Sequence, residues 1–257
     1  MKILVLAGTR DGRELAVFLF GKSLDITISV ASEYGREILD ENLPPEIEIN
    51  SKRLDQNELE KFMRAREIKI LVDASHPYAE NISMNAIEVC RKNSWNYIRY
   101  ERPEIESHGK IYHAANYLEA ARKSRELGQN IFLTTGSKTL EIFCAELKDR
   151  NIIARVLPTP EVIQKCLDLG LQPRNIIAMQ GSFSRDLNRA LFKNFGADVI
   201  VTKDSGKIGG VDSKIEAAED LKIPIVMIDR PRIDYPNLTQ SFDEVLNLIL
   251  KLIGGFK

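Results

Sequence analysis

The 257-residue sequence contains little cysteine, little histidine and a single tryptophan. Its three cysteines, Cys90, Cys144 and Cys166, are far apart and odd in number, which is not the pattern of a disulfide framework. The cysteines and the three histidines form no CxxC or HxxxH spacing, so we expect no metal site. We expect the cysteines to act as small buried hydrophobic residues.

The sequence also lacks a charge excess and a long hydrophobic run. Its net charge is −1, which gives no electrostatic reason to expect nucleic acid or a membrane surface as a partner. The longest apolar stretches, such as 223–228, are far shorter than the roughly 20 residues of a transmembrane helix. The N-terminus has no secretory h-region. We therefore predict a cytoplasmic protein without nucleic-acid or membrane partners, and the sequence does not indicate its oligomeric state.

What the sequence does contain is an alternation of apolar Ile- and Val-rich segments with helical periodicity along its whole length. Continuous apolar strands separated by helices predict parallel sheets that are covered on both faces. The polar segment 101–110, which contains a proline, interrupts this alternation. We therefore predict an α/β protein of two Rossmann-like, doubly wound parallel-sheet domains, 1–103 and 104–257, with an interdomain cleft.

A glycine-bearing loop follows the first predicted strand, in ILVLAGTRDGREL at 3–15. It matches neither GxGxxG nor GxxxxGK[ST], but a glycine loop that leads into a helix N-terminus is suited to bind phosphate. The candidate phosphate ligands are Gly8, Thr9, Arg10, Asp11 and Gly12. We expect Thr9 and Arg10 to take the place of the third glycine of the common motif. The alternative is an ordinary turn in which Asp11 caps the helix.

The loop SEYGR follows the second predicted strand, where dinucleotide-binding folds contact the adenosine ribose. An acidic residue there suits NADH, and an arginine suits the 2′-phosphate of NADPH. Ser32 and Arg36 favour NADPH, while Glu33 leaves NADH as the alternative. An ordinary helix start with a solvated arginine would give the same sequence.

The loop HPYAEN follows the predicted strand 68–73. His76 precedes Pro77 and is therefore biased toward an extended conformation at the strand end. Together with Tyr78, these residues are candidates to line a nicotinamide ring or to donate a proton. The alternative is a histidine with a purely structural role.

In the second half, KDSGKIGGVDSK at 203–214 places lysines around three glycines. Cations next to glycine-rich backbone suit a substrate that carries carboxylates or phosphates. Two further loops at the same edge, TGSK and QGSFSR, contribute Lys138 and Gln180. The candidate substrate-binding residues are therefore Lys138, Gln180, Lys203, Ser205, Gly206 and Lys214. The alternative is a surface loop with solvated charges.

Several enzyme classes find no support in the sequence. None of the seven tyrosines has a lysine four positions later, which excludes a short-chain dehydrogenase. There is also no G-x-S-x-G, HExxH or kinase motif, so covalent nucleophilic catalysis and metal-assisted hydrolysis have no positive support.

Taken together, the motifs resemble those of the precorrin-6A reductase family of cobalamin biosynthesis. The resemblance covers nearly the whole chain in order, through ILVLAGTRDGRELA, VASEYGRE, VDASHPYAENISMNA, IRYERPE, LTTGSK, ARVLPTP, MQGSFS and TKDSG with its following GG and SK. HPYA together with TKDSG is fairly specific, whereas GTRDG alone is not.

This resemblance implies an oxidoreductase acting on a CH–CH group. A reduced nicotinamide cofactor, NADPH or alternatively NADH, would lie on the first domain, with a tetrapyrrole between the domains. Hydride would pass to a carbon–carbon double bond of precorrin-6A, or of its cobalt form, and a proton would complete precorrin-6B.

By position, the resemblance also assigns the candidate residues. The GTRDG loop would hold the cofactor phosphates, Ser32 and Arg36 would meet the ribose end, and His76, Pro77 and Tyr78 would lie near the nicotinamide. The residues of the second half would face the substrate. The proton donor stays open between His76, Tyr78, Lys203 and bound water. The other functions considered are a non-catalytic nucleotide- or sugar-phosphate-binding sensor module and an NAD(P)H reductase of another acidic substrate.

Overall fold

The structure is a computed structural model that describes residues 1–30, 43–102, 110–181, 183–204 and 211–254. These residues form two six-stranded sheets and nine α-helices. The strands are β1 (Lys2–Leu6), β2 (Asp25–Ser29), β3 (Glu48–Asn50), β4 (Ile70–Asp73), β5 (Asn96–Tyr100), β6 (Ile111–Ala114), β7 (Asn130–Leu133), β8 (Asn151–Val156), β9 (Ile176–Ala178), β10 (Val199–Lys203), β11 (Ile225–Ile228) and β12 (Leu238–Thr239). The helices are α1 (Arg10–Phe20), α2 (Gln56–Ala65), α3 (Glu80–Lys92), α4 (Tyr117–Leu127), α5 (Leu140–Glu146), α6 (Pro160–Asp168), α7 (Arg185–Asn194), α8 (Val211–Leu221) and α9 (Phe242–Gly254).

The first sheet has the strand order β12-β5-β4-β1-β2-β3, and every strand pair in it is parallel. This is the order of a doubly wound dinucleotide-binding fold, in which the direction of winding reverses between β1 and β4. Ligands of such folds bind beyond the carboxyl ends of the strands at this reversal. A ligand of this fold would therefore contact the loops that follow β1 and β4.

Strand residues alternate between the two faces of the first sheet, and helices cover both faces. Ile3 and Val5 of β1 pack in one cluster with α1 and α9, whereas Leu4 and Leu6 pack in another with α2 and α3. All four side chains are at most 4% exposed. The near-continuous apolar sequence of β1 follows from this burial on both faces.

The second sheet has the order β6-β11-β10-β7-β8-β9 and is again parallel throughout. Its winding reverses between β7 and β10. Helices α7 and α8 pack on one face, where the Phe132 and Phe192 rings meet edge to face with centroids 4.9 Å apart. The prediction of an α/β fold with two doubly wound parallel sheets is confirmed.

The C-terminal segment corrects the predicted division of the chain. The two compact units are Met1–Pro103 with Pro231–Lys257, and Glu104–Arg230, whereas the sequence placed 104–257 in one domain. The two-residue strand β12, which the sequence did not predict, pairs in parallel with β5. Helix α9 buries Val245 and Ile249 in the core of the first unit. An amphipathic pattern shows that a helix covers a sheet, but it does not show which one.

The short helix that the sequence predicts from about Glu33 lies outside the described residues. The described helices include none that is long and apolar enough to cross a membrane.

We predict that Ile249→Ala destabilises the first unit by about 2–5 kcal/mol, because it leaves a cavity in a closed core. Ile249 is 0% exposed, while its neighbour Leu250 is 52% exposed. Leu250→Ala is therefore the matched control, with an expected change within about 0.5 kcal/mol. Urea unfolding of both variants measures the difference. Equal midpoints for the two variants would contradict the placement of α9.

Candidate active site

The loop after β1 is fixed by the hydroxyl of Thr9. Thr9 is the N-cap of α1, and its Oγ1 accepts a hydrogen bond of 3.0 Å from the Gly12 amide. The same hydroxyl donates to the carbonyl of Ala74, just beyond β4, at 3.0 Å. The alternative in which Asp11 caps the helix is therefore wrong, because the extended Thr9 backbone already places a side-chain acceptor at the third amide of the helix. The Thr9 bond joins the two loops at the reversal of the sheet.

The two glycines of this loop differ in their surroundings. A Cβ on Gly12 would lie 2.8 Å from Ala7 Cα and 3.0 Å from the Ala74 carbonyl oxygen, whereas a Cβ on Gly8 would meet no atom of the described residues within 4 Å. Gly12 thus permits the close approach of helix and strand that the third glycine of the common motif provides. The expectation that Thr9 and Arg10 replace that glycine is wrong, because Gly12 itself has this role. Gly8 faces open space.

The charged residues of this loop have partners within the first unit. The Asp11 carboxylate, which is 3% exposed, lies 3.0 Å from Nε of Arg102. Burial raises the pKa of Asp11 above its usual value, although Arg102 acts against this. Arg10 is exposed and pairs with Glu14 at 2.7 Å. A phosphate at this helix end would meet the backbone N–H groups of the first turn, which have no carbonyl partner within the helix.

The loop after β4 presents His76 and Tyr78. The backbone N–H of Tyr78 donates to Nδ1 of His76 at 3.2 Å, and the two rings are tilted with centroids 5.6 Å apart. A neutral His76 that accepts at Nδ1 carries its proton on Nε2. His76 and Tyr78 are both partly buried, and Pro77 between them is buried. Ser32 and Arg36, which the sequence expects beside the ribose, lie outside the described residues.

A buried polar group under this loop escaped the sequence analysis. Asp73 and Arg99, each 0% exposed, form an ion pair of 3.1 Å between Oδ1 and Nη1. Ser83 and Tyr97 also donate to Asp73, at 2.6 and 2.8 Å. Asp73 resembles an ordinary strand end in the sequence, and Arg99 an outward-facing position of β5. Only the mixed apolar and charged composition of NYIRY hinted at a buried charge.

In the second unit, cations gather at the carboxyl ends of β7 and β10. Burial and the charge of Lys138 lower the pKa of Lys203, the last residue of β10. Burial and the charges of Arg155 and Lys203 lower the pKa of Lys214, on α8, to about 7. The Lys214 ammonium donates to Thr202 Oγ1 at 3.4 Å. The structure thus brings together the predicted residues Lys138, Lys203 and Lys214.

Arg155 joins this cationic group and was not predicted from the sequence. It is 7% exposed, donates to Oδ1 of Asn188 at 2.7 Å and lies over the Phe183 ring at 4.3 Å. Burial lowers its pKa to about 10. The cationic group therefore holds charges that burial makes costly, and an anion would relieve that cost.

The other predicted residues of this edge are less informative. Gln180 is exposed, and Ser205 and Gly206 lie outside the described residues. Asp204, within the same motif, pairs with Arg230 at 3.0 Å. Across the described parts of the chain, no group of three or more His, Cys, Asp or Glu residues is arranged to hold a metal ion.

Comparison with known proteins gives one consistent family. Residues 2–250 match the family model described as precorrin-6x reductase CbiJ/CobK. The cobalt-precorrin-6A reductase of Priestia megaterium is 40% identical over 252 residues, covering 96% of this chain and 98% of that protein. The cobalt-precorrin-6A reductase of Salmonella typhimurium is 36% identical, covering 89% of this chain and 87% of that protein. The precorrin-6A reductase of Rhodococcus erythropolis is 30% identical, covering 96% of each.

A solved structure of "CobK precorrin-6A reductase" matches with a TM-score of 0.79 at 21% identity. The match covers 98% of this chain and 97% of that one. At this identity the likeness demonstrates a shared fold.

We predict that Lys214 makes the stability of the protein depend on pH. Its pKa is about 7 in the folded protein against 10.5 for an ordinary lysine. Because folding opposes the protonation of Lys214, a protonated Lys214 lowers the free energy of unfolding. This loss of stability is complete below pH 7 and disappears as the pH rises toward 10.5. Lys214→Met should thus raise the urea midpoint most at pH 6 and least near pH 10.

The matched control for this prediction is Lys193→Met, because Lys193 is exposed on α7. A constant difference between Lys214→Met and the wild type across this pH range would contradict the prediction.

Proposed function

Because this chain belongs to the precorrin-6x reductase family, we propose that it reduces one carbon–carbon double bond of cobalt-precorrin-6A to give cobalt-precorrin-6B, with NADPH as the hydride donor. The observation that carries this proposal is the match over almost the full length of reductases that act on this compound. The metal-free precorrin-6A is the alternative substrate, as in the relative at 30% identity.

The loop after β1 fits a dinucleotide cofactor. Open space lies over Gly8, and the first-turn amides of Arg10 and Asp11 have no carbonyl of their own helix to bond. We assign the cofactor diphosphate to these backbone groups, with the helix N-terminus adding a favourable dipole. Ser32 and Arg36 would hold the 2′-phosphate that distinguishes NADPH from NADH. The bound cofactor supplies the hydride.

The residues after β4 orient the reacting groups. His76, Pro77 and Tyr78 follow the strand next to β1, beyond which the nicotinamide of a doubly wound fold is expected. His76 offers an Nε2–H donor while Nδ1 is occupied by the Tyr78 amide. Lys203, whose pKa burial lowers, is a stronger acid than a solvated lysine. The proton that completes the reduction comes from one of these side chains or from bound water.

The cationic group of the second unit suits the substrate. A tetrapyrrole of this pathway carries several carboxylates, and Arg155, Lys203 and Lys214 provide charges whose burial strengthens the attraction. Carboxylate binding would oppose the effects of burial and of the neighbouring cations, which together lower the pKa of Lys214. Lys138, Gln180, Ser205 and Gly206 complete this proposed surface. The chemistry requires neither a protein nucleophile nor a catalytic triad.

The decisive experiment mixes the purified protein with NADPH or NADH, with and without cobalt-precorrin-6A, and follows cofactor oxidation and tetrapyrrole reduction. We expect oxidation only when the tetrapyrrole is present, in a one-to-one ratio and with a lower KM for NADPH than for NADH. Cofactor binding without turnover would instead support the sensor alternative. Turnover only with a different acidic acceptor would support another reductase.

A pair of glycine variants tests the cofactor loop. Gly12→Ala should destabilise the protein by about 1–3 kcal/mol, because the new methyl group meets backbone atoms. Gly8→Ala should change stability by less than about 0.5 kcal/mol but weaken NADPH binding, because its methyl group enters the space assigned to the diphosphate. Thermal unfolding and NADPH titration measure both effects. Unchanged NADPH affinity in Gly8→Ala would refute this placement of the diphosphate.

A further inference from the structure

A contribution to folding stability does not readily explain the buried ion pair of Asp73 and Arg99. Both side chains are fully buried, and a buried ion pair is often no more stabilising than apolar residues of the same size. The pair lies at the carboxyl ends of β4 and β5, directly before the loop with His76. Its position at a functional loop suggests that it fixes a conformation.

The carboxylate of Asp73 is bonded on both oxygens. Oδ1 accepts from the Ser75 amide at 2.9 Å, and Oδ2 accepts from Ser83 and Tyr97. Burial and the charge of Asp73 raise the pKa of Tyr97, so this hydroxyl stays a donor. One carboxylate thus ties the backbone at Ser75 to α3 and β5.

Arg99 holds the same short segment from the other side. Its Nη1 donates to Oγ of Ser75 at 3.3 Å and to the Asp73 carbonyl at 3.4 Å. Its Nε pairs with Glu101 at 3.1 Å. Glu101 therefore orients the guanidinium through Nε. Nη1 contacts the segment that leads to His76.

Hydrogen bonds also hold Ala74, which lies between Asp73 and Ser75. The Ala74 amide donates to the Leu6 carbonyl at 3.1 Å, and the Ala74 carbonyl accepts from Thr9 at 3.0 Å. Hydrogen bonds therefore fix the backbone of 73–75 from three directions. The next residue is His76, whose Nδ1 accepts from the Tyr78 amide.

We propose that Asp73, Ser75 and Arg99 are positioning residues that hold His76 in one orientation and in the Nε2–H tautomer toward the reacting groups. This inference rests on the proposed reductase function for its effect on turnover, but its structural part does not. Loosening the segment would let His76 sample other orientations, which lowers kcat more than it raises KM for either substrate.

The sharpest variant is Ser75→Ala, because it removes the contact of Arg99 with Oγ and leaves the ion pair and the Ser75 amide in place. Ser124→Ala is the matched control, since Ser124 in the second unit is also buried, at 0% exposed against 9% for Ser75, and its hydroxyl donates to the Ala121 carbonyl of its own helix. We expect Ser75→Ala to lower kcat at least threefold with little change in KM, and Ser124→Ala to leave kcat unchanged. In a His76→Ala background, Ser75→Ala should have no further effect on kcat.

A readout without turnover follows the tautomer of His76 directly. The chain has only three histidines, so the nitrogen signals of His76 in ¹⁵N-histidine-labelled protein are identified by their loss in His76→Gln. We expect a single Nε2–H species in the wild type and in Ser124→Ala at alkaline pH. Ser75→Ala should give a mixture of tautomers or broadened signals.

The two readouts separate the two hypotheses. A wild type that reduces no tetrapyrrole, together with a tautomer mixture in Ser75→Ala and a single tautomer in the wild type, would contradict the proposed function and support the positioning of His76. Wild-type His76 signals and wild-type kcat in Ser75→Ala would overturn the positioning role. An equal loss of kcat from Ser75→Ala with and without His76 would overturn it too, because the effect would then not pass through that side chain.

Discussion

Helix α1 can begin at the carboxyl end of β1 because position 12 has no Cβ. The Ala7 Cα and the Ala74 carbonyl lie where a side chain would begin, so any other residue would push the helix away from the sheet. This close approach brings the Thr9 hydroxyl within 3.0 Å of the Ala74 carbonyl, and so joins the loops after β1 and β4. The N-terminus of α1 and the segment that leads to His76 are thereby held next to each other.

The cationic group of the second unit differs from the buried ion pairs of the first. In the first unit, Asp11 lies against Arg102 and Asp73 against Arg99, so buried charges are neutralised within the fold. In the second unit, burial and neighbouring positive charges lower the pKa of two lysines: Lys138 acts on Lys203, and Arg155 and Lys203 act on Lys214. The first pattern suits a cofactor held by backbone groups, and the second suits a substrate that brings its own negative charges.

The fold class could be predicted from the sequence because each buried parallel strand is a continuous apolar segment. It could not place Leu238–Thr239, since two residues carry no periodicity, nor could it assign the apolar face of Phe242–Gly254 to the first sheet. The glycine loop follows the first strand as predicted, but the sequence could not distinguish its two glycines, because only coordinates show that Gly12 is packed and Gly8 is open. The candidate lysines of the second unit were found from composition, whereas Arg155 was hidden in an apolar strand.

Arg99 and Arg155 show why such residues need a structure to interpret. Each is the last but one residue of its strand, and each is buried with its guanidinium against an aromatic ring. Arg99 lies next to the carboxylates of Asp73 and Glu101. Burial alone would lower the pKa of Arg99, but these charges help to raise it above its usual value. Arg155 bonds the neutral amide of Asn188, and burial lowers its pKa to about 10.

The same residue type thus has two different physical states in the two units. The charge of Arg99 is balanced by the protein and stays with the segment that it orients. Burial makes the charge of Arg155 energetically costly. A carboxylate next to Arg155 would lower this cost by more than it would stabilise an exposed arginine, because the attraction is stronger away from water. Burial lowers the pKa of Arg155, so a carboxylate of the proposed substrate beside this guanidinium would offset part of the cost of burying its charge.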